Sequence, residues 1–275
     1  MKRSAHRTKR LGQCFLIDPS VAERIALESK AGPGSRVLEV GPGRGILTRA
    51  LQNLGFMVHA VEIDEELYRG LKKEFENTRN VNVERGDARR FDFGSIEAPY
   101  QIVSNLPYSI SVMLIKIFIE NMSKLSGMTL MTQAEVAQRL SAKPGGKHYG
   151  SLSIYLSYHF HVDYLFTIGP EAFRPRPKVN SAVIRLSPLA TPPVTVDSKD
   201  DFFSFVKLAF IHRRKTLRNN LKAEWGDDAA LDEALSKTGI APALRPQNIS
   251  IEQFADLYNE WKKTEKASRS NANLE

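Results

Sequence analysis

The chain has 275 residues, 42% of them hydrophobic and 25% charged, and a formal net charge of +8. That length suits one large domain with a smaller appendage, and no apolar run is long enough for a transmembrane helix or patterned as a signal peptide. The single cysteine, Cys14, excludes an intrachain disulfide and a zinc site built from thiolates, so the expectation is a soluble protein of a reducing, intracellular compartment.

The basic start, with Lys2, Arg3, Arg7, Lys9 and Arg10, runs into Leu11-Gly12-Gln13-Cys14-Phe15-Leu16. Asp18-Pro19 then signals a helix start, and amphipathic spacing carries that helix to Lys30 before Gly32-Pro33-Gly34 closes it. Arg36 to Val40 is a short β-rich run, broken by Gly41-Pro42-Gly43-Arg44-Gly45, and Ile46 to Leu54 has helical spacing. Glycines let the backbone approach a ligand while the helix N-terminus offers free amides, which points to a nucleotide-like ligand. A plain tight turn accounts for such glycines equally well. The next strand, Val58 to Val61, adds weight because it ends in Glu62-Ile63-Asp64, a carboxylate where ribose hydroxyls would lie. Asp64, Glu65 and Glu66 also suit a helix N-terminus, which leaves Glu62 the better ligand.

A third strand, Val81 to Glu84, leads to Gly86-Asp87-Ala88, and a fourth, Gln101 to Ser104, leads to Asn105-Leu106-Pro107-Tyr108. Four successive strand ends carrying glycine or polar residues would line one crevice at the carboxyl edge of a sheet. The Asn-Leu-Pro-Tyr stretch offers a side-chain carbonyl, backbone carbonyls and a stacking face, a set that suits an aromatic amine. Read alone, the same stretch is a strand-to-helix turn. Met128 to Thr132 is a fifth strand and Gln133 to Leu140 a helix ended by Pro144-Gly145-Gly146; Ser151 to Phe160 fits strand or helix. Tyr164 to Ile168 and Ala182 to Leu186 read as a terminal hairpin pair. Between them, the prolines and cations of Phe173-Arg174-Pro175-Arg176-Pro177-Lys178 predict an exposed ring able to stack on a base.

Pro188 to Pro193 reads as a linker, dividing the chain into domains 1–187 and 188–275. Beyond it Phe202, Phe203, Val206, Phe210, Leu217 and Leu221 recur at helical spacing, with Lys207, Arg214, Arg218 and Lys222 on a neighbouring face. Arg213, Arg214, Lys215, Arg218 and Lys222 form a second basic cluster, and two separated clusters favour a long polyanion. Leu231 to Thr238 and Ile251 to Trp261 complete a helical domain, and the polar tail from Thr264 is expected to be disordered. Only His159 and His161 lie close together among the histidines, too little for a metal site. With no Ser-His-Asp set, P-loop or paired carboxylates, the chemistry expected is group transfer by positioning.

In order along the chain, Glu39-Val40-Gly41-Pro42-Gly43-Arg44-Gly45, Glu62, Gly86-Asp87-Ala88 and Asn105-Leu106-Pro107-Tyr108 resemble the motifs of S-adenosylmethionine-dependent adenine-N6 methyltransferases, most closely the KsgA-type rRNA adenine dimethyltransferase family. Leu11-Gly12-Gln13, Gln133-Ala134-Glu135-Val136-Ala137, Phe173 through Val183 and Arg213-Arg214-Lys215-Thr216-Leu217 extend the resemblance over nearly the whole chain.

The resemblance implies an α/β fold: a Rossmann-like S-adenosylmethionine-dependent methyltransferase domain on a seven-stranded sheet whose last strand is antiparallel, followed by a small helical RNA-binding domain. It implies a cofactor site at Gln13, Cys14, Leu16, Glu39, Gly41, Gly43, Glu62, Ile63, Asp87, Ala88 and Asn105, with Gly41 and its neighbours at the methionine part, Glu62 at the ribose and Asp87 at the adenine amine. Cys14 departs from the family, which usually has Asn or His there. Asn105, Leu106, Pro107, Tyr108 and Phe173 would hold the target base, and Arg213, Arg214, Lys215, Arg218 and Lys222 the RNA. No metal is implied. The implied substrate is small-subunit rRNA in an immature subunit, dimethylated at two adjacent adenosines near its 3′ end, by a cytoplasmic monomer. An Erm-like enzyme acting on large-subunit rRNA shares the catalytic motif, and a non-catalytic RNA-binding assembly factor shares the fold.

Overall fold

A computed structural model describes residues 14–272. The cations Lys2, Arg3, Arg7, Lys9 and Arg10, together with Leu11, Gly12 and Gln13, lie outside the described residues.

The first half of the chain alternates strand and helix. After a two-residue strand, β1 (Phe15–Leu16), Asp18 caps α1 (Pro19–Glu28) by accepting the Ser20 amide at 2.9 Å, and α1 buries Ala22, Ile25 and Ala26. Then come β2 (Arg36–Val40), α2 (Ile46–Asn53), β3 (Met57–Glu62), α3 (Glu65–Glu74), β4 (Val81–Arg85), β5 (Tyr100–Asn105), α4 (Ser111–Glu120), β6 (Leu125–Gln133) and α5 (Ala134–Leu140). Four of the five residues of β2 are buried, as in a strand covered on both faces, and one of the four is the acid Glu39. Asp64 caps α3, accepting the amides of Glu66 and Leu67, with Glu65 and Glu66 in the first turn and Lys72 and Lys73 in the last.

The residues 151–160, open between helix and strand, divide: α6 (Ser151–His159) is helical and β7 (Phe160–Ile168) begins at Phe160. A two-residue strand, β8 (Phe173–Arg174), and β9 (Ser181–Pro188) follow. One seven-stranded sheet has the order β4-β3-β2-β5-β6-β9-β7. The pairs β3/β4, β2/β3, β2/β5 and β5/β6 are parallel, while β9 runs antiparallel to β6, with Met128 opposite Leu186 and Gln133 opposite Ser181. Where β2 hands over to β5 the strand order reverses direction, which is where open α/β sheets bind ligands.

The chain splits into two compact units, residues 1–137 with 162–188, and residues 138–161 with 189–275. The linker at Pro188 matches one edge of this division. The segment Gln138–His161, which a single cut at residue 187 assigns to the first domain, belongs to the second: Ile154 and Tyr158 of α6 pack in its core with Phe202, Phe205, Leu221, Leu235 and Tyr258. The second unit also contains α7 (Lys199–Ala209), α8 (Leu217–Trp225), α9 (Asp228–Lys237) and α10 (Ile251–Ala272). Two expectations are corrected here. The tail from Thr264 continues α10 as helix to Ala272. The single helical pattern from Phe202 to Leu221 is interrupted between α7 and α8, because Thr216 caps α8 and the Asn220 side chain both accepts the His212 amide and donates to its carbonyl.

Candidate active site

The carboxyl ends of β2, β3 and β5 open into a cleft of about 430 Å³ lined by residues of the first unit. Its floor is the glycine turn. Gly41, Gly43 and Gly45 have φ of 69°, 60° and 76°, in the left-handed region that side chains other than glycine rarely adopt. A Cβ on Gly43 would stand 3.0 Å from the Phe15 ring, so β1 closes directly over the turn.

Two acidic side chains are buried beside this floor, each 2% exposed. Glu39, the fourth residue of β2, accepts the Thr48 hydroxyl at 2.6 Å. Burial, reinforced by the nearby Glu62 charge, pushes its carboxyl up to about 8 against the opposing Thr48 bond. Glu62, at the tip of β3, accepts the amides of Gly43 at 3.0 Å and Asp64 at 2.8 Å; burial also raises its carboxyl, with those amides opposing. Burial likewise raises the Cys14 thiol, leaving a neutral, weak hydrogen-bonding group at pH 7.

At the other side of the cleft, β5 ends in Asn105. Among the described residues the Asn105 side chain makes no hydrogen bond, although it lines the cleft. The stretch after it is held from behind: the Leu106 amide donates to the Met131 carbonyl at 3.0 Å, and the Ile110 amide to the Pro107 carbonyl at 3.1 Å. The hydroxyls of Tyr108 and Ser181 hydrogen-bond each other, anchoring the half-buried ring to the start of β9.

Cys14, Leu16, Glu39, Gly41, Gly43, Glu62, Ile63, Asn105, Leu106, Pro107 and Tyr108 all line this one cleft. Asp87 and Ala88 do not. Asp87 is engaged by Arg89, whose Nη2 donates to it at 2.6 Å, and that bond holds its carboxyl below the usual range. Gln13 is outside the described residues. Phe173 is a correction: its ring is fully buried in the first unit's core rather than exposed. The reason is pairing, since β8 runs antiparallel to β1 with Phe173 opposite Leu16, so alternation along the strand sends Phe173 inward and Arg174 outward. Its strand thereby staples Phe15 and Leu16 over the cleft. Phe15, Arg44 and Gln133 also line the cleft, and the Arg44 guanidinium stands 4.9 Å from the centre of the Phe15 ring. Arg44 and Gln133 stand inside the motifs that carry the family resemblance, and Phe15 directly follows Cys14, so their place in those stretches was the signal for them.

In the second unit the basic residues differ from one another. Arg213 donates to the carbonyls of Lys147 at 3.0 Å and Tyr149 at 2.8 Å. Arg218 makes a two-pronged contact with Asp232 at 2.6 and 2.9 Å, and Lys222 pairs with Asp228 at 2.6 Å. Arg214 and Lys215, in the turn before α8, are exposed and form no ion pair among the described residues.

Comparison with known proteins places this geometry. The ribosomal RNA adenine dimethylase family profile matches residues 5–263. The chain belongs to this family. It is 41% identical over 252 residues to the ribosomal RNA small subunit methyltransferase A of Pseudomonas savastanoi pv. phaseolicola, covering 90% of this chain and 92% of that protein. It is 40% identical over 255 residues to the Pseudomonas aeruginosa protein of the same name, covering 92% and 93%. Among solved structures it is similar to a dimethyladenosine transferase from Plasmodium falciparum, with TM-score 0.78, 25% identity and coverage of 91% and 98%. It is also similar to the 23S rRNA methyltransferase ErmE, with TM-score 0.74, 25% identity and coverage of 90% and 99%. Family and fold together make the chain an S-adenosylmethionine-dependent rRNA adenine methyltransferase with a Rossmann-like sheet.

The cleft's own chemistry fits that cofactor. A floor of positive-φ glycines admits a backbone-hugging ligand, two buried carboxyls suit a ligand carrying hydroxyls and positive charge, and Leu16 and Ile63 supply apolar wall. Its volume of about 430 Å³ falls in the small-molecule range of roughly 300–1,000 Å³.

Proposed function

We propose that this chain is an rRNA adenine N6,N6-dimethyltransferase that methylates two adjacent adenosines near the 3′ end of small-subunit rRNA, on immature small subunits, and so takes part in small-subunit biogenesis. The observation that carries the reading is the Asn105 amide on the rim of the glycine-floored cleft, which has no hydrogen-bond partner among the described residues. Between small- and large-subunit substrates, the 41% identity to small-subunit methyltransferases against 25% to ErmE favours the former. An assembly factor without catalysis would have no need of the Asn105 arrangement.

In this reading Gly41, Gly43, Glu39, Glu62, Ile63 and the Cys14–Leu16 strand hold S-adenosylmethionine, which supplies an activated methyl group. Adenine N6 is a poor nucleophile because its lone pair is delocalised into the ring. The Asn105 side-chain oxygen accepts one N6 proton, and the Leu106 carbonyl, which accepts no hydrogen bond among the described residues, accepts the other. The two acceptors draw the nitrogen toward tetrahedral geometry and localise its lone pair. Pro107 and the Tyr108–Ser181 bond keep these groups in place, so the chain contributes mainly orientation. The target base leaves its stack to reach the cleft and lies on the Tyr108 ring. Cations including Arg214 and Lys215 bind flanking phosphates. The reading extends to action as a monomer in the cytoplasm, where immature subunits are assembled.

The deciding experiment is transfer of labelled methyl from S-adenosylmethionine to small ribosomal subunits lacking the modification, with nuclease mapping of the label. Label on adjacent adenines near the 3′ end is the expected result. Label confined to large-subunit rRNA would replace this reading with the Erm-like one.

A further inference from the structure

The Thr48 hydroxyl is the one hydrogen-bond partner of the Glu39 side chain among the described residues, at 2.6 Å. Thr48 is the third residue of α2 and is 0% exposed, and the bond joins the end of β2 to the first turn of α2, nine residues apart. It therefore spans the whole glycine turn from Gly41 to Gly45. Gly45, which precedes α2 at the cap position, supplies no side-chain cap, and Thr48 ties the helix start to the strand. Glu39 lines the cleft, and among the described residues its Oε1 makes no hydrogen bond, whereas both oxygens of Glu62 accept amides.

A buried carboxyl with one donor and a second carboxyl nearby stays protonated until something positive arrives. Its surroundings fit that description. The charges acting on it are Glu62 from β3, which opposes ionisation, and Arg49 from α2, which favours it; the Arg49 guanidinium is itself held by Glu74 and the Arg44 carbonyl. Burial sets the carboxyl at about 8, so it is mostly neutral at pH 7.

We propose that Thr48 is a positioning residue of the cofactor cleft: its hydroxyl fixes the Glu39 carboxyl across the glycine turn, so that this carboxyl ionises as the cationic sulfonium donor binds and is reprotonated when the neutral thioether product remains. On binding, the Glu39 O–H bond breaks and the proton passes to solvent; after methyl transfer the sulfonium charge is gone and a proton returns from solvent. The acidic cleft thus favours the donor over the product. This deepens the proposed function and rests on its placement of Glu39 in the cofactor site.

The test is calorimetric titration of the full-length protein with S-adenosylmethionine and with S-adenosylhomocysteine, from pH 6 to 9, in buffers of different ionisation enthalpy. The wild type is expected to release protons on binding the donor near pH 7 and fewer on binding the product. Thr48→Val, which keeps the shape and removes the hydroxyl, should weaken donor binding about tenfold at pH 7 and move the midpoint of its pH dependence up by about one unit, the two being equivalent. Product affinity should change far less, and Thr48→Ser should restore the wild-type profile. Glu39→Gln should abolish the extra proton release, and Thr48→Val added to it should have no further effect. A Thr48→Val protein with an unmoved pH midpoint, or with donor and product weakened equally, overturns the proposal. If Thr48→Val does not fold, equal proton release by wild type and Glu39→Gln overturns it instead. Failure of the wild type to bind S-adenosylmethionine at all would remove the cofactor assignment itself, a distinct result.

Discussion

The carboxylate of Glu62 accepts the Gly43 amide through Oε2 at 3.0 Å, so the tip of β3 holds the middle of the glycine turn that follows β2. The same side chain takes the Asp64 amide through Oε1, linking the turn to the start of α3. Two loops that line the cleft are therefore set by one buried group.

That relationship separates two neighbouring glycines. Gly43→Ala places a Cβ at φ 60° and 3.0 Å from the Phe15 ring, and the left-handed conformation alone costs roughly 1–2 kcal/mol. Cofactor affinity is expected to drop at least fivefold in a binding titration. Gly45→Ala meets Leu71 Cδ2 at 2.6 Å; neither Gly45 nor Leu71 lines the cleft, so this change should lower the melting temperature more than the affinity of the folded fraction. The reverse ranking would mean that Phe15 does not cover the turn.

Asn105→Ala removes the side-chain amide from the cleft rim while leaving the Glu39 and Glu62 contacts in place. By analogy with losing one preorganised polar group, turnover should fall about 10²-fold or more with cofactor affinity unchanged. Single-turnover methyl transfer beside a binding titration measures both. Turnover near that of the wild type would take Asn105 out of the mechanism.

Phe173 is treated by the structure as core. Phe173→Ala should cost about 3–5 kcal/mol of stability, read by denaturant unfolding, and Phe173→Leu much less. The Leu variant is expected to keep turnover per folded molecule within a few-fold of wild type. A hundredfold loss at normal stability would restore a stacking role for the ring.

The cations of the second unit should divide by partner. Arg214→Ala with Lys215→Ala is expected to weaken RNA binding and reduce the slope of log affinity against log salt by about 0.7–0.9 per cation. Arg218→Ala breaks the pair with Asp232, so its main readout should be a lower melting temperature with a smaller change in salt slope. An equal slope change per cation removed in the two variants would show that the Asp232 pair opens on RNA.

Glu39 also predicts how stability follows pH. Its carboxyl is raised from 4.5 to about 8 on folding, so between those values the native state holds more protons than the unfolded chain. This contribution is complete below about pH 4.5 and is lost as pH rises through 8, at about 1.4 kcal/mol per unit. Glu39→Gln should flatten the fall in melting temperature between pH 5 and 8, and the variant should compare best with wild type at the alkaline end.

The local code was readable where period and punctuation decide structure. Arg36 to Val40 is the strand its apolar run indicates, Asp18-Pro19 and Asp64 start helices, and Asn105 ends a strand. The cleft residues Glu39, Gly41, Gly43, Glu62 and Asn105 follow directly, because a parallel sheet gathers the carboxyl ends of its strands. Burial and pairing were harder to read. Phe173 is buried because β8 pairs with β1, about 160 residues earlier, and Asp87 is bound by its near neighbour Arg89. Arg218 is neutralised by Asp232 from the next helix, and α6 joins the second unit through contacts with Phe202 and Tyr258. Sequence by itself determined backbone conformation, spacing and the order of strand ends, since these follow from each residue's own sterics and its near neighbours. Tertiary structure alone decided which ring is covered and which charge is already satisfied, since burial and pairing are properties of whatever the fold places opposite.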